Sequence, residues 1–459
     1  MNLSKRIALF AGPALGVILG LVLRQNGIAP EAASTAGITC CCAIWWVFEP
    51  IPVPATAMIP FGFFPLAGVM KHTEVAASYG HHLVLLMMGG FMISSSMEHT
   101  GAHRRLALGM VKAVGGRGGR RIVLGFMLAS AALSMWITNA ATTLMLLPVA
   151  LAVLDQSSER EQLATPLLLG IAYAASLGGM GTPIGTPPNL IFVQQYQETT
   201  GVEVSFLKWM GMAMPVVLAM IPITWLWLTR RLRGSQAFEL KKLEPWTAAE
   251  VLVLSVFAIT AVAWMTRTGP YGGWSQLLAN PKDVGDSTVA LVAGVTLFLI
   301  PDGKGKPILN WERAERIPWG LLLLLGGGIA IGKAFQASGL SQVIGHQLKD
   351  LTSLSLVLMV ALLCLGVTFM TEMTSNTATT NLLMPILAAA GQQAEIDPAK
   401  LMLPAVISAS CAFMLPVATV PNAIIYGSRE ITVKTMAREG IVLNLIGVIV
   451  VTTVCLLVL

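Results

Sequence analysis

One motif occurs twice in this chain: Thr138-Asn139-Ala-Ala-Thr142-Thr143 with Pro148 downstream, and Ser375-Asn376-Thr377-Ala-Thr379-Thr380 with Pro385 downstream. In both copies the Asn lies nine residues before the Pro, inside otherwise apolar sequence. Amides, hydroxyls and a helix-breaking Pro in such surroundings are incompatible with a plain spanning helix, because backbone groups freed there need partners in protein, water or ions. The duplication runs further. Gly89-Gly90 with Gly101 matches Gly327-Gly328 with Gly339, and Pro188-Asn189-Leu-Ile191 matches Pro421-Asn422-Ala-Ile424, all at offsets of 233 to 238 residues. Two halves of the chain are therefore copies of one unit, a period too long for a solenoid and suited to a duplicated transporter.

The solvent of the fold follows from composition: 55% hydrophobic residues, 11% charged and a mean hydropathy of +0.73, against roughly a quarter charged in soluble domains. The chain reads as an all-α polytopic membrane protein, with lipid as its surroundings. Its 44 Gly suit close helix packing in a membrane. The basic pI of 9.1 does not point to nucleic acid, because Lys and Arg fall in short loops between apolar runs. Six cysteines, including the consecutive Cys40, Cys41 and Cys42, have neither zinc nor redox spacing and read as apolar packing residues. Lys5 and Arg6 precede an apolar run from Ile7 to Leu23 that resembles a signal sequence without a cleavage site, and it reads as a retained first helix.

Apolar runs near 7–23, 36–49, 51–70, 82–98, 165–193, 205–229, 248–266, 287–300, 318–336, 400–427 and 440–459 predict eleven crossings. The segments 123–154 and 354–390 carry the repeated motif near their middles, so each is expected to be a re-entrant hairpin of two half-helices. With a cytoplasmic N-terminus, inside segments hold 21 Lys and Arg and outside segments eight, which supports this orientation over its inverse and predicts a C-terminus outside. Five crossings separate the hairpins, so they enter from opposite faces and the repeats are inverted. The expected organisation is an N-terminal helix in 1–35, a first repeat in 36–245 with an inner hairpin at 123–154, and a second in 246–459 with an outer hairpin at 354–390. Inverted repeats with broken helices place a binding site near the bilayer midplane.

What binds there follows from the groups on offer. Asn139 and Asn376 supply amide donors and acceptors, neighbouring Ser and Thr supply hydroxyls, and each turn exposes backbone groups. Helix N-termini attract anions, while carbonyl-rich C-termini coordinate sodium-like cations. No Lys or Arg lies in either motif, so an anion is to be neutralised by dipoles, N–H and hydroxyl groups and co-bound cations. Gly178-Gly-Met-Gly-Thr182-Pro183-Ile-Gly185-Thr186-Pro187-Pro188-Asn189 and its partner Leu415-Pro416-Val-Ala418-Thr419-Val420-Pro421-Asn422 should each break a second helix beside the hairpin.

With the paired Ser-Asn-Thr type motifs, the Gly-Thr-Pro-Pro-Asn segment and Trp45-Trp46-Val-Phe-Glu49-Pro-Ile51-Pro52, the chain resembles the divalent anion:sodium symporter family of dicarboxylate, citrate and sulfate carriers over nearly its whole length. That resemblance implies a homodimer in the cell (inner) membrane, each protomer having a scaffold part and a transport part that carries both hairpins and moves as a rigid body, an elevator. It implies sodium as coupling ion, bound in one site by Ser134, Thr138, Asn139 and the backbone near Gly185, and in the other by Thr371, Ser375, Asn376 and the backbone near Ala418. It places substrate carboxylates against Asn139, Thr186 and Pro187 from one half and Asn376, Thr377, Val420 and Pro421 from the other. Ala140 departs from the family pattern, since it cannot hydrogen-bond a carboxylate as Thr377 can.

Other polar residues read as structural. Glu372 is expected to anchor the second hairpin or face the outer water, and Glu49 to end a helix. His81, His82, His99 and His103 sit at helix boundaries rather than in a metal cluster. Trp45, Trp46, Trp225 and Trp227 anchor or pack. Residues 155–161 and 239–250 are expected to be solvated connections. Enzymes of membranes need paired carboxylates or a nucleophile with its base at depth, and the sequence has neither. Matched inverted hairpins suit alternating access better than an open channel. Sodium-coupled symport of C4-dicarboxylates such as succinate is the leading expectation, with sodium-independent dicarboxylate exchange, or sulfate or citrate as the cargo, left open.

Overall fold

The computed structural model describes residues 3–114, 118–157, 159–232, 245–268, 273–347 and 355–459. Among them there is no β-strand, and helices follow one another in chain order. The N-terminal third comprises α1 (Leu3–Gln25), α2 (Pro30–Phe48), the short α3 (Val53–Thr56) and α4 (Ile59–Leu66), α5 (His72–Tyr79), α6 (His82–Thr100) and α7 (Ala102–Val114). Next come α8 (Gly119–Ser134), α9 (Asn139–Asp155), α10 (Arg160–Gly179), α11 (Pro187–Thr200) and α12 (Phe206–Thr229). The second half repeats the order: α13 (Ala248–Thr266), α14 (Asp286–Leu299), α15 (Trp311–Ala314), α16 (Trp319–Ala337), α17 (Leu340–Gln347), α18 (Leu356–Thr371), α19 (Asn376–Gln393), α20 (Ala399–Ala409), α21 (Val420–Gly427) and α22 (Val433–Val458). Eight stretches of helix among the described residues are long and apolar enough to cross a membrane.

The sequence explains where these helices stop. The motif segments are broken at 135–138 and 372–375, so α8 with α9 and α18 with α19 form two hairpins of short helices. The expected runs 165–193 and 400–427 are likewise interrupted, between Gly179 and Pro187 by a Gly- and Pro-rich segment and between Ala409 and Val420 by a segment that holds Pro416 alone, and in both a Pro at N1 or N2 starts the next helix. The run 51–70 is two short helices instead of one span, because Pro52, Pro60 and Pro65 interrupt it.

Packing follows the duplication. In the first half α8 lies against α10 and α12; in the second, α18 lies against α20 and α22. The halves are laced by exchange, since α9 packs on α21 and α11 on α19. A second apolar cluster joins α2, α4 and α5 to α16. There, α1 and α2 approach so closely that a Cβ on Gly16 would lie 2.5 Å from the carbonyl oxygen of Gly37.

A second expectation needs correction. Of the stretch 239–250, residues 239–244 lie outside the described residues, and Glu250 at its end is buried rather than solvated. Thr247 and Glu250 form a capping box on α13, and the carboxylate accepts from Arg105 Nε at 2.8 Å, which holds α7 against α13. In 155–161 the residue Ser158 lies outside the described set, while Arg160 pairs with Asp155 and, at 2.7 Å, with Glu430.

Candidate functional site

Each hairpin turn is built around its Asn. The Oγ of Ser134, at the end of α8, donates to Asn139 Oδ1 at 2.5 Å, and the Oγ1 of Thr371, at the end of α18, donates to Asn376 Oδ1 at 2.6 Å. Thr143 and Thr380 donate to the carbonyls of Asn139 and Asn376 at 2.8 Å in both copies. Thr138 caps α9 through the N–H of Ala141 at 3.2 Å; Ser375 holds the same position on α19 without a side-chain cap. Ser134 and Thr371 are fully buried and stand behind the turn, so they reach the cavity only through the Asn they orient.

The broken helices beside the hairpins are stapled by a pair of Asn side chains whose role the sequence did not reveal. Nδ2 of Asn189 donates to the carbonyls of Gly179 and Thr182 at 2.9 and 2.7 Å; Nδ2 of Asn422 donates to those of Ala412 and Leu415 at 3.0 and 3.1 Å. The offsets of ten and seven residues are the same in both halves. Each staple satisfies carbonyls that a broken helix leaves open. The signal was present as Pro-Asn in both copies, but only the chain's return across the gap gives it a partner.

These four pieces meet around one cavity of about 630 Å³. It is lined by Thr138, Asn139 and Ala140 from the first hairpin and Ser375, Asn376 and Thr377 from the second. Gly185, Thr186 and Pro187 come from one broken helix, and Ala418, Thr419, Val420 and Pro421 from the other. Every residue expected to meet substrate is in that lining, and of the residues expected to meet sodium only Ser134 and Thr371 are not.

The N-cap residues of α9, α11, α19 and α21, namely Thr138, Thr186, Ser375 and Thr419, all face this space. Four helix N-termini thus converge on it, each carrying a partial positive charge of roughly half a unit. None of the four has an acidic residue in its first turn, a feature they share with most helices here, while α2, α5, α10, α13, α14 and α15 have one. The positive ends are left open to the cavity, an arrangement suited to an anion.

Oxygen atoms gather behind that front. A Cβ built on Gly179, the last residue of α10, would lie 2.7 Å from Asn139 Oδ1, 3.2 Å from its Nδ2 and 3.3 Å from the Gly185 carbonyl oxygen, so the absence of a side chain there lets the amide group and the carbonyl approach one point. In the second half the Ala409 carbonyl oxygen lies 2.9 Å from Thr371 Oγ1 and is a second acceptor for its one hydroxyl proton, which brings the C-terminal ends of α18 and α20 together. Neutral oxygens near two helix C-termini fit a small hard cation. The residues present therefore suit sodium as a co-substrate.

Other residues take structural places. Glu372 is buried, and its carboxyl group accepts from the N–H groups of Met414 and Leu415, both at 2.9 Å, and from Asn444 Nδ2 at 2.7 Å. It anchors the second hairpin to the loop before α21. Glu49 ends α2 in the left-handed region. His81 caps α6 and stacks on His82, His103 meets the Met97 carbonyl, and no group of three metal-ligating side chains occurs among the described residues. Cys40 and Cys41 are half-buried and the other four cysteines buried. The sequence reading missed Lys5, a cation that lines the cavity from the start of α1.

Comparison with known proteins agrees with this architecture. The chain is 36% identical over 477 residues to the sodium-dependent dicarboxylate transporter SdcS of Staphylococcus saprophyticus, covering 99% of this chain and 91% of that protein. It is 36% identical over 469 residues to SdcS of Staphylococcus aureus, covering 97% and 89%. In fold it is similar to the YdaH transporter of Alcanivorax borkumensis, at a TM-score of 0.58 and 14% identity over 83% of this chain and 86% of that one. The family described as the sodium:sulfate symporter transmembrane region matches residues 3–458, and this multi-pass membrane protein belongs to that family.

Proposed function

We propose that the protein is a secondary active transporter that couples sodium to the uptake of C4-dicarboxylates such as succinate. The single observation that carries this reading is the convergence of four acid-free helix N-termini on a cavity with no cationic side chain on the hairpin side. A dianion entering that space meets N–H groups, hydroxyls and amides in place of water, and its charge is offset by the helix ends and by sodium held behind the turns. The relatives named as sodium-dependent dicarboxylate transporters support the cargo and the ion.

In this reading Asn139, Thr186, Pro187, Asn376, Thr377, Val420 and Pro421 hold the carboxylates. Ser134, Thr138, Asn139 and Gly185 hold one sodium, and Thr371, Ser375, Asn376 and Ala418 the other. Each Asn serves both ligands: its Oδ1, which accepts from Ser134 or Thr371, is the oxygen offered to sodium and its Nδ2 the donor offered to the anion. Sodium binding would thereby orient the amide, which ties anion affinity to sodium concentration. The α8–α12 and α18–α22 groups form the transport part and the remaining helices the scaffold. The repeats are inverted in the membrane of the cell, with the N-terminus cytoplasmic and the C-terminus outside. Two such chains form a homodimer, and the transport parts move by an elevator step.

The test is uptake of labelled succinate into proteoliposomes with and without a sodium gradient, with sulfate and citrate as competitors. Uptake should require the gradient and be lost in Asn139→Ala and in Asn376→Ala while both variants remain monodisperse. Gradient-independent counterflow would point to exchange instead, and wild-type uptake in either variant would reject the site.

A further inference from the structure

The cavity has a second wall. Besides the helix N-termini, it is lined by the start of α1 and the end of α2, through Lys5, Trp46, Val47, Phe48 and Glu49. Among the described residues that line it, Lys5 is the one cation and Glu49 the one anion.

The two are held differently. Glu49 is the residue after α2, in the left-handed conformation at φ 47°, its N–H bonded to the Trp45 carbonyl at 2.9 Å and its chain turned away by Pro50. Trp45 in turn donates from Nε1 to the Ala8 carbonyl at 3.0 Å, which pins the first turns of α1 beside the end of α2. The backbone at Lys5 is therefore placed, but its ammonium is not. Nζ lies 3.9 Å from Glu49 Oε2, at the outer limit of an ion pair, with the side chains 40% and 52% exposed. A pair this open contributes little, and a lysine ammonium on its flexible stem can turn to a better acceptor.

We propose that Lys5 is a specificity-determining residue for the doubly charged substrate. Its ammonium leaves Glu49 to add a contact to one of the two carboxylates held at the hairpin turns, and Glu49 sets the affinity by competing for it. The proposal rests on the reading that a dicarboxylate occupies this cavity. It adds to the same cavity lining a cation that the two sequence motifs lack. A monoanion of the same shape is satisfied by the helix ends alone and gains nothing from it, so the device favours dianions. Lys5 belongs to α1, outside both hairpins, so it meets the substrate only while the cavity faces this wall.

The experiment is calorimetric titration of the full-length protein in nanodiscs and sodium buffer with succinate and with its monoamide, succinamate, for wild type, Lys5→Gln, Lys5→Arg and Glu49→Gln. Lys5→Gln should weaken succinate about three- to fivefold and leave succinamate unchanged, Lys5→Arg should keep most of the affinity, and Glu49→Gln should tighten succinate. In oriented vesicles the Lys5→Gln effect should appear from one side of the membrane only. Unchanged succinate affinity in Lys5→Gln, or equal losses for succinate and succinamate, overturns this proposal alone. A wild-type protein that binds no dicarboxylate overturns the cavity reading and this proposal with it.

Discussion

The two hairpin turns carry the same motif and are secured by opposite means. At the first, the residue after Met135 is Trp136, whose ring lies 5.8 Å from Phe206 and 6.4 Å from Trp264 in stacked geometry, with Phe257 edge-on at 4.9 Å. At the second, the corresponding Met373 is 79% exposed. The polar anchors are exchanged as well. Where the second turn has the buried Glu372 gripping the loop before α21, the first has Met135, whose backbone carbonyl accepts from Thr182 Oγ1. The loop of the first half is also tied by Trp209 Nε1 to the Met180 carbonyl at 2.9 Å, and that of the second by Tyr173 to the Phe413 carbonyl at 2.6 Å. Duplicated motifs preserve the hydrogen bonds within the turns, while the surroundings that hold the turns have diverged. An aromatic stack resists displacement through burial, and a buried carboxyl group does so through directed hydrogen bonds.

This contrast can be broken from either side. The largest effect is expected for Glu372→Ala, which strands two backbone N–H groups and the Asn444 amide and should cost about 3–5 kcal/mol, read as a fall in melting temperature of the purified protein together with loss of succinate binding. Next is Trp136→Ala, which removes a half-buried ring from its stack and should cost about 2–3 kcal/mol in the same melt. Met373→Ala at the matching place should change stability by less than about 0.5 kcal/mol. Equal effects of these two would show that the turns are secured alike. The smallest is Ala140→Thr, which gives the first turn the hydroxyl of the second; it should leave the melt in place and shift succinate affinity about fivefold at most, roughly the worth of one added hydrogen bond.

Much of the molecule was legible in the chain because the signals are local. Apolar runs of span length and the Pro and Gly residues that stop helices act within one segment, and the repeated motif is recognised by comparing two short segments 237 residues apart. They mark the hairpins, the broken helices and the residues that end up around the cavity. Where local reading failed, the partner was remote. Glu250 looked solvated in a charged stretch and is buried because Arg105 reaches it from another helix. Lys5 counted only as a charge beside the first helix, yet the packing of α1 on α2 carries it to the cavity wall.

The sequence by itself determined the lipid setting, the duplication, the positions of the helix breaks and the chemistry of the groups at them, because composition and backbone propensity need no knowledge of distant residues. Only the tertiary structure decided that the second arm of each hairpin packs on the broken helix of the other half, that four positive helix ends share one space, and which remote side chains secure each turn. Those outcomes depend on which surfaces meet after the chain has closed on itself, and contacts between residues hundreds of positions apart leave no periodicity in the sequence to be read.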